Sequence, residues 1–249
     1  MLSVVATLGL LTVLAAPAAA YEVVSVADGG VLSGTVRFTG TPPRLEPITV
    51  SRNRDVCGDT KDAETLVLGP ERGVRGSVIL VGGVGRGKPP VADVLLDNSK
   101  CQFAPHVSAT MPGERARVKN SDALLHHPHG FLGKPTVFNL ALPNRDQMID
   151  ITRRITRPGV VRVVCDAHPH MLAWMVVHDS PYYAVTDERG AFRIEGLPPG
   201  SYKVTMWHEG FRPRGVDKDG RALYDEPRTR TRDVAIAPRA TATIDFEIR

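Results

Sequence analysis

The sequence predicts an all-β protein made of two β-sandwiches. Three observations lead there. No stretch beyond residue 20 sustains the 3.6-residue apolar period of a helix, the 23 glycines and 20 prolines of the 249-residue chain recur every few residues, and short alternating apolar segments are bounded by turn signals.

Residues 2–20 carry no charged side chain and end in Ala18-Ala19-Ala20, the small-residue pattern of a secretory cleavage site. A signal peptide, residues 1–20, is expected rather than a membrane anchor, because Gly9, Thr12 and Pro17 interrupt the run, although the usual Lys or Arg before it is missing. Export places the mature chain in the periplasm or outside the cell. The 31 Lys and Arg residues are interleaved with 27 Asp and Glu, for a net charge of +4, which gives nucleic-acid binding no support. No second apolar run is long enough to span a bilayer.

Val31 to Phe38 alternates imperfectly and stops at Gly40 and Pro42-Pro43, as a strand does. Residues 51–64 are polar and read as a surface connection held by Cys57. Strands are expected at Val74–Val81 and Val91–Leu96, with the glycine run of residues 82–87 between them. No helix pattern follows that run, so a hairpin tip is expected there rather than a phosphate loop.

Met111-Pro112-Gly113 launches the next strand, Glu114 to Asn120, with Ala116 and Val118 on one face. A second turn, Arg157-Pro158-Gly159, launches a valine-rich strand ending in Cys165, which shares its face with Val161 and Val163 and so should point into a sandwich interior. Trp174 to Val177 follows. After Pro181, four strands are expected at 182–185, 192–194, 202–207 and 241–248, with the charged stretch 212–233 as a solvated loop.

The chemistry concentrates in Cys165-Asp166-Ala167-His168-Pro169-His170-Met171. A thiolate, an imidazole and a thioether within seven residues suit copper, and the one further nitrogen such a site needs is available from His126. Among three cysteines one is left over, and Cys165 is the natural odd one; Cys57 and Cys101 are then either a disulfide, favoured in an oxidising compartment, or two buried thiols.

These segments resemble the cupredoxin family, amicyanin and plastocyanin-like proteins most of all. Cys165-x-x-His168-Pro-x-Met171 has amicyanin's loop spacing, and Asn120 with His126 six residues later matches the family's strand-end asparagine and first copper histidine. The resemblance implies a Greek-key cupredoxin sandwich over residues 74–180, with His126, Cys165, His168 and Met171 binding one type 1 copper ion. One departure stands out: the family's asparagine after the first histidine is replaced here by His127-Pro128. Thr186-Asp187-x-x-Gly190-x-Phe192 and Leu197-Pro198-Pro199-Gly200-x-Tyr202 are similar to the carboxypeptidase regulatory-like, or Cna B-type, domain, which implies a second, smaller transthyretin-like sandwich over residues 181–249. Residues 21–73 form an N-terminal β segment. Gly34-Thr35-Val36 resembles the opening strand of the second family, so the first sandwich either precedes the second or is inserted within it.

The function implied is one-electron transfer between exported redox proteins, with a cytochrome or dehydrogenase-like partner docking on an apolar patch of Leu124, Leu125, Pro128 and Pro169 at the His168 edge. A copper storage, delivery or sensing protein is the runner-up, motivated by His127, His129 and His170, which are read as surface histidines around the metal. A structural sandwich without metal is the third reading. An enzyme is disfavoured, because Val164 and Asp166 flank Cys165 where related multicopper enzymes have a histidine leading to a second copper. His106 and His208 are read as structural.

Overall fold

The computed structural model describes residues 21–249; the expected signal peptide lies outside them. The regular structure is almost all β, arranged in two sandwiches. No helix among the described residues is long and apolar enough to cross a membrane.

The first sandwich has a sheet of β3 (Asp93–Ser99), β4 (Gln102–Ala104), β6 (Arg115–Asn120) and β9 (Met148–Asp150), in the order β4-β3-β6-β9. Facing it is a sheet of β5 (Val107–Thr110), β7 (Pro128–Leu132), β8 (Thr136–Asn139), β10 (Gly159–Cys165) and β11 (Leu172–Val177), ordered β5-β11-β10-β7-β8. Pairing is antiparallel except for β6 on β3 and β5 on β11. The period-two pattern decides what fills the space between the sheets. Ala116 and Val118 of β6, Val161, Val163 and Cys165 of β10, and Ala173, Met175 and Val177 of β11 meet in one buried cluster with Phe103 and Phe138.

The second sandwich interleaves distant parts of the chain. One sheet runs β12-β2-β14-β15, made of Tyr183–Val185, Val78–Gly82, Gly200–His208 and Arg228–Ile236. In the other, β1 (Gly30–Phe38) pairs with β13 (Ala191–Leu197) on one side and with β16 (Thr241–Thr243) and β17 (Phe246–Ile248) in succession on the other. Two sequence expectations are corrected by these pairings. The strand expected at Val74–Val81 belongs by sequence position to the first sandwich, yet β2 lies in the second, flanked by β12 and β14. The glycine run after it is not a hairpin tip, because β2 and β3 belong to different sheets and the run crosses between sandwiches. The stretch 212–233 is likewise no plain loop. It holds a short hairpin, Pro213–Val216 with Ala222–Tyr224, and most of β15, which pairs with β14 along nine residues. β15 is an exposed edge whose Arg and Thr residues discourage pairing with other chains, and an edge of that kind has no apolar face to betray it in sequence.

The sandwiches meet through the outer faces of the β5-β11-β10 and β12-β2-β14 strands. Val107, Ala109 and Val176 from one side bury against Val78 and Trp207 from the other, with Trp174 set edge-on to Trp207 at 5.7 Å between ring centres. A buried polar network crosses the seam beside them. His106 contacts Leu172 O through Nδ1 at 3.0 Å and Glu209 Oε1 through Nε2 at 2.5 Å, while Trp174 Nε1 donates to Glu209 Oε2 at 2.8 Å. Burial alone would push the His106 imidazole down, but the Glu209 carboxylate, with Glu64 and the Leu172 carbonyl, carries it above its ordinary value.

Two outcomes are expected. Residues 183–249 alone should fail to unfold cooperatively, since they lack β1 and β2, which are interior strands of both sheets; a sharp urea transition would contradict this. A histidine raised on folding contributes stability that is complete below about pH 6.5 and is lost as pH climbs through the folded value. Urea unfolding from about pH 6 to about pH 9 should therefore cost the native chain more stability than Glu209→Gln, and equal losses would exclude a charged pair.

Candidate metal centre

The site is assembled where β6 and β10 end. Asn120 closes β6 and is fully buried; its Nδ2 donates to Leu124 O and Leu142 O, each at 2.9 Å, and its Oδ1 accepts from Asp122 N at 3.0 Å. This latch folds residues 121–125 into a fixed turn. His126 then bridges to Leu142 through both backbone groups. In the neighbouring strands Pro128 stands opposite Cys165, which brings residues 126–128 against the end of β10. The loop after Cys165 turns back at once, with Met171 N donating to His168 O at 3.1 Å.

These backbones place Cys165 Sγ 3.9 Å from His126 Nδ1 and 3.6 Å from His168 Nδ1. All three residues have no solvent exposure, and their donor atoms lie within 4.8 Å of one another. The outer nitrogen of each ring is also engaged: His126 Nε2 with Asp122 Oδ2 and His168 Nε2 with Asn53 Oδ1, each at 3.0 Å. Beside the sulfur, His127 N donates to Cys165 Sγ at 3.3 Å, so a backbone N–H reaches the sulfur although the residue there is histidine.

The electrostatics fit a cation. Burial pushes the Cys165 thiol up, against the N–H groups of His127, His168 and Ala167. Burial lowers His126 in spite of Asp122, and burial with the neighbouring His126 and His170 rings lowers His168 to about 4. Two imidazoles held neutral and a thiol that resists ionising without a positive partner form a donor set that a soft metal ion completes by replacing the thiol proton. Cys101, Asp122 and His126 form a second grouping, but Cys101 is joined to Cys57 in a disulfide and has no thiolate to offer.

Met171, three residues after His168, is buried in the same core cluster as Cys165. Three expectations about the surroundings are corrected. His170 is not a surface residue: it is buried, with Nε2 bonded to Cys101 O at 3.0 Å. His129 is half-buried and engaged by Asp166 and Thr136. The apolar patch is not assembled either, since Pro128 and Pro169 are buried, Leu124 packs beside the disulfide, and Leu125 alone stays exposed, at 45%. The His168 edge is closed because residues 51–57 lie over it. Arg52 donates to Ala167 O at 3.4 Å, and Asn53 occupies the ring nitrogen.

Asn53, Asp122 and Arg221 are the site residues that sequence reasoning missed. Asp122 carried a faint signal, four residues before His126; Asn53 and Arg221 carried none. Arg221, in the hairpin of the second sandwich, donates through Nη2 to Cys165 O at 3.2 Å and to Asp166 Oδ1 at 3.1 Å.

A family model of the carboxypeptidase regulatory-like domain matches residues 175–249. No curated protein sequence matches the chain. Among solved structures, amicyanin from Paracoccus versutus is similar at 19% identity over 40% of this chain and 96% of its own, with a TM-score of 0.30. A purple cupredoxin from Nitrosopumilus maritimus is similar at 18% identity over 34% of this chain and 99% of its own, with a TM-score of 0.29. A Cu-containing nitrite reductase from Thermus scotoductus is similar at 21% identity, with a TM-score of 0.30, over 36% of this chain; this chain covers 25% of that enzyme.

Arg221 ties the second sandwich to the metal loop by charge-assisted bonds in a nearly buried setting. Arg221→Ala is expected to lower stability by about 1.5–3 kcal/mol in urea unfolding, and a change below about 0.5 kcal/mol would mean that the bonds contribute nothing.

Proposed function

We propose that the chain is an exported type 1 copper protein that carries one electron at a time between redox partners. A single observation carries the reading: one buried thiol faces the Nδ1 atoms of two buried histidines at 3.6 and 3.9 Å. Copper bound there would supply a one-electron Cu(I)/Cu(II) couple. His126, Cys165 and His168 would hold it, with Met171 as the fourth, weaker ligand.

The residues around these donors support a carrier. Asn120 fixes the turn before His126, β10 fixes Cys165, and outer hydrogen bonds occupy both rings, so the donors are held before any ion arrives. A centre that keeps its shape in both oxidation states needs such support. The disulfide is consistent with an oxidising compartment outside the cytoplasm. The partner is a redox protein of cytochrome or dehydrogenase type, in a small and weak encounter.

Loading the purified chain with Cu(II) is expected to give an intense blue charge-transfer band and a type 1 electron-spin signal, both lost in Cys165→Ser. A weak, tetragonal-type signal alone would falsify the assignment. Reversible cycling with the metal retained supports the carrier, whereas loss of copper to a chelator on reduction would favour a delivery role.

A further inference from the structure

We propose that Asp122 and Asn53 are the positioning residues of this centre: they fix both histidine rings with Nδ1 toward Cys165, and the Asp122 carboxylate favours the more oxidised state of the bound metal. The inference rests on the copper reading above and deepens it.

Ring chemistry comes first. A neutral imidazole carries one N–H, and the hydrogen bond at one nitrogen decides which nitrogen is left as a ligand. Asp122 Oδ2 only accepts, so the His126 proton sits on Nε2 and the Nδ1 lone pair faces the sulfur. Asn53 Oδ1 does the same for His168. A carboxylate on the far side of a ligating histidine raises the ring's basicity and adds negative charge near the metal, and both effects stabilise Cu(II) over Cu(I).

Asp122 is itself held at some cost. Lys100 and Cys101 form the two-residue turn between β3 and β4, both with left-handed φ, 54° and 56°, where glycine or asparagine is usual. That turn aims Lys100 N at Asp122 Oδ1 and Cys101 N at Oδ2, each at 2.7 Å. Two residues with left-handed φ are kept in a geometry whose visible product is an oriented carboxylate.

Asn53 sits at the other end of the same construction. It also has left-handed φ, 53°, and it begins the single helical turn α1 (Arg54–Cys57), closed by Cys57 N on Asn53 O at 2.8 Å. The disulfide from Cys57 reaches Cys101, so one covalent link joins the turn that carries Asn53 to the turn that orients Asp122. The link spans 44 residues and restricts the unfolded chain accordingly. Reading both rings through one cross-linked cap explains why an exposed polar segment is tied down so firmly.

The test uses the full chain loaded with copper, compared with Asp122→Asn, which removes the charge, and Asn53→Gly, which keeps the left-handed backbone accessible. Asp122→Asn is expected to keep the blue band, lose roughly 10- to 100-fold in Cu(II) affinity and lose less in Cu(I) affinity. Each tenfold difference between the two reads as an upward shift of about 59 mV in reduction potential. Asn53→Gly is expected to release copper to a chelator roughly tenfold faster, with a smaller change in potential because the lost group is neutral. A blue native protein whose Asp122→Asn variant keeps both its Cu(II) affinity and its potential would overturn the inference and leave the copper reading intact. A native protein that never turns blue would overturn the copper reading instead. Should Asp122→Asn fail to fold, nitrogen NMR of the metal-free native chain decides: Nε2–H on His126 and His168 is expected, and Nδ1–H on either ring would refute the positioning.

Discussion

A buried thiol between two buried imidazoles is the arrangement on which the rest of the structure depends. Cys165 has no exposure and is pushed toward its neutral form by burial, while both histidines are pushed toward theirs. Three polar side chains in an apolar core are costly unless their hydrogen-bonding capacity is used. Here each is used from outside: His127 N on the sulfur, Asp122 on one ring, Asn53 on the other. What remains facing inward is sulfur and two lone pairs, the part of the site that a cation can satisfy.

That accounting also explains the closed form of the site. A histidine at an open edge needs no protein partner for its outer nitrogen, because water supplies one. His168 is covered by residues 52 and 53, so the cover itself must supply the acceptor, and Asn53 does. Beside it His170 is buried with Nε2 on Cys101 O, and Leu124 packs with Val50 and the disulfide. The apolar patch expected at this edge is absent for a packing reason: Pro128 is buried opposite Cys165, Pro169 is buried in the loop, Leu124 packs beside the disulfide, and Leu125 alone stays exposed.

The second sandwich is bound to the first by more than a linker. β1 and β2 leave the N-terminal part of the chain to fill interior positions in the second sandwich's sheets, and the first sandwich is strung between β2 and β12. The seam is sealed by Trp174 and Trp207 and by the His106–Glu209 pair, and Arg221 extends it to the Cys165 carbonyl. A displacement of the second sandwich would thus be felt in the metal loop.

The sequence by itself determined the class of fold and the donor residues of the candidate centre. Period-two alternation in 114–120 and 159–165 placed Ala116, Val118, Val161, Val163 and Cys165 inward, because neighbouring side chains on a strand must face opposite ways. The Cys165-x-x-His168 spacing and a histidine after Asn120 were legible for a similar reason: both sit at strand ends, where local geometry sets direction. Only the tertiary structure decided the partnership of strands and the outer contacts of the rings. β2 looked like part of the nearest sheet because sequence proximity says nothing of which edge a strand joins, and β15 looked like a loop because an exposed edge has no apolar face to show. Asn53 and Arg221 meet the metal loop from 115 and 56 residues away, in a polar turn and a charged hairpin. Contacts of that range leave no period and no spacing in the chain; they exist only once the disulfide and the two sandwiches have brought those surfaces together.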